Sequence, residues 1–324
     1  MSARSPRLAC GVDMGGTKIL GVVLDPADGS VVVEERVPTP VGGAAVMGEL
    51  VKLAARLCDQ AQALTGSEVD VVGLGAPGLV DRTGTLRYGA NLPGVVDVDF
   101  ASALSGGLGL PVVVDNDATC AAWAEHKLGA ARGRDHAVLV TLGTGIGAGI
   151  VVKGQVLRGA HGFAGEPGHM VVDPDGPPCP CGRRGCWERF ASGSGLGRLG
   201  REAAAARRAH RVLELAGGDP EDVKGEHVTA AAREGDAEAT EVLRQFGWWV
   251  ALGLANLVNI LDSEILVIGG GLIGAGELVL EPTRAAYRDL VLAAAHRPEP
   301  PIVAAQLGEH AGATGAALLA SERL

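Results

Sequence analysis

The sequence predicts an α/β protein assembled from two related halves, and three observations carry that expectation. Strand, glycine turn, strand and turn follow one another from residue 8 to about 37, and the theme returns in "HAVLVTLGTGIGAGIVVKGQVL" at 136–157. Buried strand patterns run into polar or glycine clusters where helical patterns begin, as in "PVVVDNDATCAAWAEHKLGA". The 50 glycines among 324 residues follow no collagen-like period and imply tight turns and close backbone approaches, as in nucleotide-binding α/β enzymes.

The opening "LACGVDMGGTKILGVVLDPADGSVVVEERVP" alternates β-branched runs with the turn signals "DMGG" and "PADG", a three-stranded meander with no helix after the first glycine pair. Apolar residues at three-and-four spacing make 44–64 an amphipathic helix. "VDVVGLGAPGLVD" is a buried strand ending in a Gly/Pro turn, and the next strand hands over to a helix at "DNDA". Two long helical segments (about 195–216 and 237–261), the strand "EILVIGGG", another helix and a last strand "PIVAAQL" complete the pattern.

Composition narrows the function. A formal net charge of −10, with no Lys/Arg run longer than two, argues against a nucleic-acid partner, because neutralising phosphates takes clustered cations. No apolar run reaches the roughly 18 residues of a membrane span, and the N-terminal residues lack the apolar core of a signal peptide. A cytoplasmic protein without a membrane partner is expected. Cys10, Cys58 and Cys120 then read as small buried hydrophobes in a reducing compartment.

"DMGGTK" supplies Asp13, the unshielded backbone of Gly15 and Gly16, the Thr17 hydroxyl and the Lys18 ammonium, parts that can hold ATP phosphates with Mg²⁺. It lacks the spacing and the helix of a P-loop. Gly143, Thr144 and Gly145 in "LGTGIGAGI" could cradle phosphates in the same way; for each hairpin a plain turn is an equal reading. Gly269, Gly270 and Gly271 with Gly274 satisfy G-x-G-x-x-G, which keeps an NAD-dependent oxidoreductase as an alternative. No acidic residue ends a second strand about 20 residues on, as that fold requires.

At "DNDA" a carboxylate can take a hydroxyl proton and a neighbouring amide can bind a second hydroxyl, although Asn116 or Asp117 could equally be a helix N-cap. In "HMVVDPDGPPCPCGRRGCWE", His169, Cys179, Cys181 and Cys186 give one imidazole and three thiolates, a tetrahedral structural zinc set whose full shell leaves no position for catalysis. Free thiols are the alternative. The loop also carries Glu166 and Glu188, which with His169 suit a polyhydroxylated ligand or are solvated surface acids. Pro167 biases Glu166 towards extended backbone.

In this order, "DMGGTK", "GAPGLV", "NLPG", "DNDA", "LGTGIGAGI", "GEPGH", "CPCGRRGCWE" and "VIGGG" resemble the ROK family of sugar kinases, and within it the ATP-dependent bacterial enzymes that act on glucose. The resemblance runs from about residue 8 to 319. It implies a two-domain, actin-like and ribonuclease-H-like α/β sugar kinase fold with a cleft between domains: a small domain of 1–116 plus about 308–324 and a large one of 117–307. It implies phosphorylation of the glucose 6-hydroxyl by MgATP, with Asp117 as general base and Gly78, Asn91, Asn116, Asp117, Glu166, His169 and Glu188 contacting the sugar. The two hairpins would take the phosphates, and Gly269 to Gly271 the nucleoside. Zinc would sit on His169, Cys179, Cys181 and Cys186, with His169 giving one ring nitrogen to the metal and the other to the sugar.

The family also implies a homodimer or homotetramer. N-acetylmannosamine, N-acetylglucosamine and fructose are the alternative sugars. The family's repressors carry an N-terminal helix-turn-helix, for which the roughly ten residues before the first hairpin leave no room. Two departures leave the sugar open: Val95 stands where many of the glucose enzymes carry Trp, and Pro167 where an aliphatic residue is commoner. Neither removes a polar contact.

Overall fold

A computed structural model of the protein describes residues 8–89 and 95–323. Contacts divide the chain into two compact units: unit 1 is Met1–Gly133, Gly149–Gly165 and Gln306–Leu324, and unit 2 is Arg134–Ala148 and Glu166–Ala305. Asn91, with the "NLPG" motif, lies outside the described residues.

Unit 1 opens with the meander β1 (Leu8–Met14), β2 (Lys18–Leu24) and β3 (Val31–Pro38), then α1 (Gly43–Thr65) and β4 (Val69–Ala76). Short β5 (Leu79–Val80), β6 (Thr85–Tyr88) and β7 (Val98–Asp99) form a small sheet of their own, followed by α2 (Phe100–Leu108), β8 (Val112–Asn116) and α3 (Asp117–Lys127). The main sheet has the order β3-β2-β1-β4-β8; the meander is antiparallel, and β4 runs parallel to β1 and β8. The three-and-four spacing of α1 buries Val46, Leu50, Leu53, Ala54, Leu57 and Ala61. Each large aliphatic side chain so buried contributes roughly 1.5–3 kcal/mol of transfer free energy. The helix stops at Gly66, left-handed at φ 74°, whose N–H donates to the Gln62 carbonyl.

Next come β9 (Ala137–Leu142), β10 (Ile146–Val152) and β11 (Gln155–Val156). Unit 2 continues with α4 (Glu188–Ala191), α5 (Gly193–Ala205), α6 (His210–Leu215), α7 (Gly225–Arg233), α8 (Ala237–Leu261), β12 (Ile265–Gly269), α9 (Glu277–Leu290) and β13 (Ile302–Ala304). The second sheet has the order β11-β10-β9-β12-β13, with β12 parallel to β9 and β13 and β11 antiparallel to β10. Strand for strand this repeats the order of the first sheet, the duplicated α/β unit expected from the two glycine hairpins.

Unit 1 is completed by α10 (Ala311–Ser321), which packs on β1, β4 and α3. A methyl group on Gly11 would lie 1.9 Å from the Ala313 carbonyl oxygen, and one on Gly73 2.0 Å from that of Ala316. Only glycine lets the helix and sheet backbones approach so closely.

Several elements differ from the sequence expectation. The helix expected at 195–216 is two, α5 and α6, separated where Arg207 takes a positive φ of 56°. Helices α2, α4, α7 and α10 have no counterpart in the sequence expectation. Helix α3 packs on α10 within unit 1. Cys10 and Cys120 are buried, but Cys58 is half-buried. No helix among the described residues is long and apolar enough to cross a membrane.

Candidate active site

The first glycine hairpin joins β1 to β2. Gly15 N–H donates to the Lys18 carbonyl at 2.9 Å, while Thr39 braces the turn: its hydroxyl donates to the Gly15 carbonyl at 2.7 Å and its N–H to that of Thr17 at 3.0 Å. Gly16, Thr17 and Lys18 are left exposed. Lys18 Nζ lies 2.6 Å from Oε2 of Glu309, whose Oε1 pairs with Arg36. Hydrogen bonds from Lys18 and then Arg36 hold the Glu309 carboxyl down at about 2. The sequence reading missed this partner; only the fold joins positions so far apart.

At the end of β8 each residue of "DND" has a separate task. Asp115, 7% exposed, accepts Arg158 Nε at 2.7 Å on one oxygen and the Asn116 N–H at 3.0 Å on the other. Asn116 is the N-cap of α3, accepting the Thr119 N–H at 3.0 Å, and its amide nitrogen donates to the Gly78 carbonyl at 3.2 Å. The cap and ligand readings are thus compatible, because the cap uses only the amide oxygen. Asp117 accepts the Ala118 N–H at 2.8 Å and forms no ion pair among the described residues. Burial raises its carboxyl above the usual carboxylate range, opposed by hydrogen bonds from Ala118 and Asn116.

Asp13 stands on the other side of Gly75 from Asp117. A methyl group on Gly75 would lie 3.5 Å from Asp13 Oδ1 and 3.4 Å from Asp117 Cα. Burial, then the Asp117 charge, push the Asp13 carboxyl up to about 7 against the pull of Lys18. Two neighbouring carboxyls of raised proton affinity in one corner are unstable as a pair of bare charges and favourable to a cation or a proton.

Unit 2 carries the second hairpin, Gly143 to Gly145, at the β9–β10 turn. Gly193 N–H donates to the Gly143 carbonyl at 2.7 Å and the Ser194 hydroxyl to that of Thr144 at 2.8 Å, so the start of α5 holds the loop. Gly270 comes against the end of β9 that leads into this loop: a methyl group on it would meet the Leu142 backbone at 2.6 Å, whereas one on Gly271 would meet nothing within 4 Å. Gly271–Ala275 forms a 3-10 turn rather than the α-helix that a dinucleotide fingerprint opens.

The loop before α4 brings His169, Cys179, Cys181 and Cys186 together, with one ligand atom of each within 4.8 Å of all the others. His169 Nδ1 is 3.8 Å from Cys179 Sγ, and the Cys181 and Cys186 sulfurs are 3.5 Å apart. Tetrahedral zinc with Zn–S bonds of about 2.3 Å separates its ligands by roughly 3.5–3.8 Å, so the donor set and its spacing fit a structural zinc ion. The loop closes on itself where Cys179 N–H donates to Arg183 O at 2.8 Å and Trp187 N–H to Met170 O at 2.7 Å. The other His169 nitrogen, Nε2, is 4.0 Å from Glu166 Oε2, so the two ring nitrogens serve different neighbours. Glu166 has ψ 47°, short of the extended backbone that Pro167 favours, because it precedes the 3-10 turn Pro167–His169 and accepts the His169 N–H. Glu188 begins α4 and accepts the Ile146 N–H at 3.0 Å.

A profile of the ROK family matches residues 9–323. The chain belongs to the ROK family. Among ROK relatives, the glucokinase of Streptomyces coelicolor is 39% identical over 97% of this chain and 98% of its own. That of Thermotoga maritima is 36% identical over 97% of each chain. The crystal structure of a ROK glucokinase from Streptomyces griseus in complex with glucose and AMPPNP superposes with a TM-score of 0.85 at 38% identity, covering 97% of this chain and 99% of that one. The duplicated sheet order is accordingly that of the actin-like, ribonuclease-H-like ROK kinase fold.

Proposed function

We propose that the protein is an ATP-dependent glucokinase, transferring the terminal phosphoryl group of MgATP to the 6-hydroxyl of glucose. The observation that carries the reading is the placement of Asp117: a carboxylate at the head of α3 with no cation partner among the described residues, beside an Asp115 paired with Arg158, in a chain 36–39% identical to glucokinases over nearly its full length. Such a group suits a general base; a carboxylate locked to an arginine does not. Near-full-length identity to glucokinases supports the substrate class.

In this mechanism Asp117 takes the proton of the 6-hydroxyl as the oxygen attacks phosphorus. Asn116, held to Gly78 and capping α3, contacts a further hydroxyl together with Asn91, Glu166, His169 and Glu188. Backbone N–H groups of both hairpins and Lys18 receive the phosphates, and Gly269 to Gly271 the nucleoside. Asp13 would hold a Mg²⁺ ion, whose charge would neutralise that of the phosphates. Positioning and charge neutralisation supply most of the rate, since phosphoryl transfer asks little covalent chemistry of the protein. Zinc on His169, Cys179, Cys181 and Cys186 would hold the sugar-facing loop in shape. The reading carries with it a cytoplasmic homodimer or homotetramer, checked by light scattering.

ADP release from MgATP, measured across glucose, mannose, fructose, N-acetylmannosamine and N-acetylglucosamine with a no-sugar control, tests the function. A clear preference for glucose is expected. Preference for an N-acetylhexosamine or fructose would replace the sugar while keeping Asp117, and no stimulation by any sugar would remove the kinase reading.

A further inference from the structure

Glu188 serves two parts of unit 2 at once. Its backbone is fixed beside Cys186 and Trp187; the Trp187 ring is fully buried, packs where α8 has Gly253, and donates its indole N–H to the Trp249 carbonyl at 2.7 Å. From that anchored start of α4, Oε2 accepts the Ile146 N–H at 3.0 Å, and a methyl group on Gly145 would lie 2.3 Å from it. Oε1 accepts no hydrogen bond from the described residues. In the hairpin itself the Gly143 and Thr144 carbonyls accept from Gly193 and Ser194, and Gly143 N–H donates to Gly145 O at 3.0 Å. The N–H groups of Thr144 and Gly145 therefore remain without a described acceptor, which suits an anion.

We propose that Glu188 is the positioning residue of this hairpin. Through one oxygen it fixes the orientation in which the Thr144 and Gly145 N–H groups meet the nucleotide phosphates, so nucleotide binding depends on Glu188 even without sugar. The inference rests on the reading that this hairpin takes ATP phosphates.

The test uses zinc-loaded full-length protein, comparing wild type with Glu188→Ala and Glu188→Gln. Two quantities are measured without sugar: calorimetric affinity for MgAMPPNP and amide hydrogen exchange at Ile146. Glu188→Ala should weaken nucleotide binding by about tenfold, the cost of one lost charge-assisted hydrogen bond, and speed exchange at Ile146. Glu188→Gln, whose amide oxygen still accepts that N–H, should stay within about twofold of wild type. Unchanged exchange and affinity in Glu188→Ala would overturn the proposal. Faster exchange with unchanged affinity would also overturn it, and would place the fault in the phosphate assignment of the hairpin rather than in the hydrogen bond. Should Glu188→Ala fail to fold, Glu188→Asp, one methylene too short to reach Ile146, is read in the same way.

Discussion

Lys18 and Glu309, at opposite ends of the sequence, meet in a 2.6 Å ion pair on the exposed edge of the first hairpin. The pair occupies the one hairpin cation that phosphates would use. Exposed pairs are weak and screened by salt, so freeing Lys18 has a bounded effect. Glu309→Gln should lower the KM for MgATP by up to about fivefold at low salt, with less effect as ionic strength rises. A raised KM would mean that Glu309 assists nucleotide binding instead of competing with it.

Asp117→Asn keeps an oxygen for the Ala118 N–H and the start of α3, but cannot take a proton. Turnover should fall by ~10²–10⁴ with glucose affinity largely intact. Wild-type turnover in this variant would sink the base assignment.

The raised Asp117 carboxyl moves the acid side of the rate profile upward. The base must be ionised to act, so kcat/KM should fall as pH drops, at pH values above the ordinary carboxylate range near 4. The limb should be absent from residual Asp117→Asn activity. A profile that stays flat down into the ordinary carboxylate range would contradict it.

Asp13 links pH to stability. Its folded value of about 7 lies above the ordinary 3.8, so the folded protein binds this proton more tightly than the unfolded chain does. Its stabilising contribution is complete below 3.8 and is lost as pH rises through about 7. Asp13→Asn should therefore melt several degrees higher than wild type at pH 8, a gain that shrinks towards pH 4, while losing Mg²⁺-dependent activity. An equal melting shift at both pH values would show that burial of the charge is not its origin.

Stripping zinc with a strong chelator should expose the fully buried Trp187, shifting its emission to the red, and weaken glucose binding. Active protein without bound metal by elemental analysis would remove the metal from the account.

What the sequence displayed was whatever depends on local pattern: the meander, α1, the strand-to-helix junction at Asn116 and the sulfur cluster, since spacing alone brings His169, Cys179, Cys181 and Cys186 within reach. It hid α10, because "AGATGAALLAS" is buried all round and has no polar face to give a period. It hid the break between α5 and α6, where a single arginine turns left-handed within an alanine-rich helical run. Arg158 on Asp115, Glu309 on Lys18 and Glu188 on Ile146 are contacts between distant positions. No local periodicity encodes such pairs, yet the first of them engages Asp115 and leaves Asp117 without an ion pair among the described residues.

The glycine contacts between α10 and strands β1 and β4 bear on the order of assembly. During translation the strands emerge long before their covering helix, and all of unit 2 is synthesised between them. Until α10 arrives, the part of the first sheet that it covers stays open to solvent, whereas unit 2 already has every segment it needs. Removing α10 would therefore cost the nascent protein the closure of its first sheet, rather than a dispensable tail.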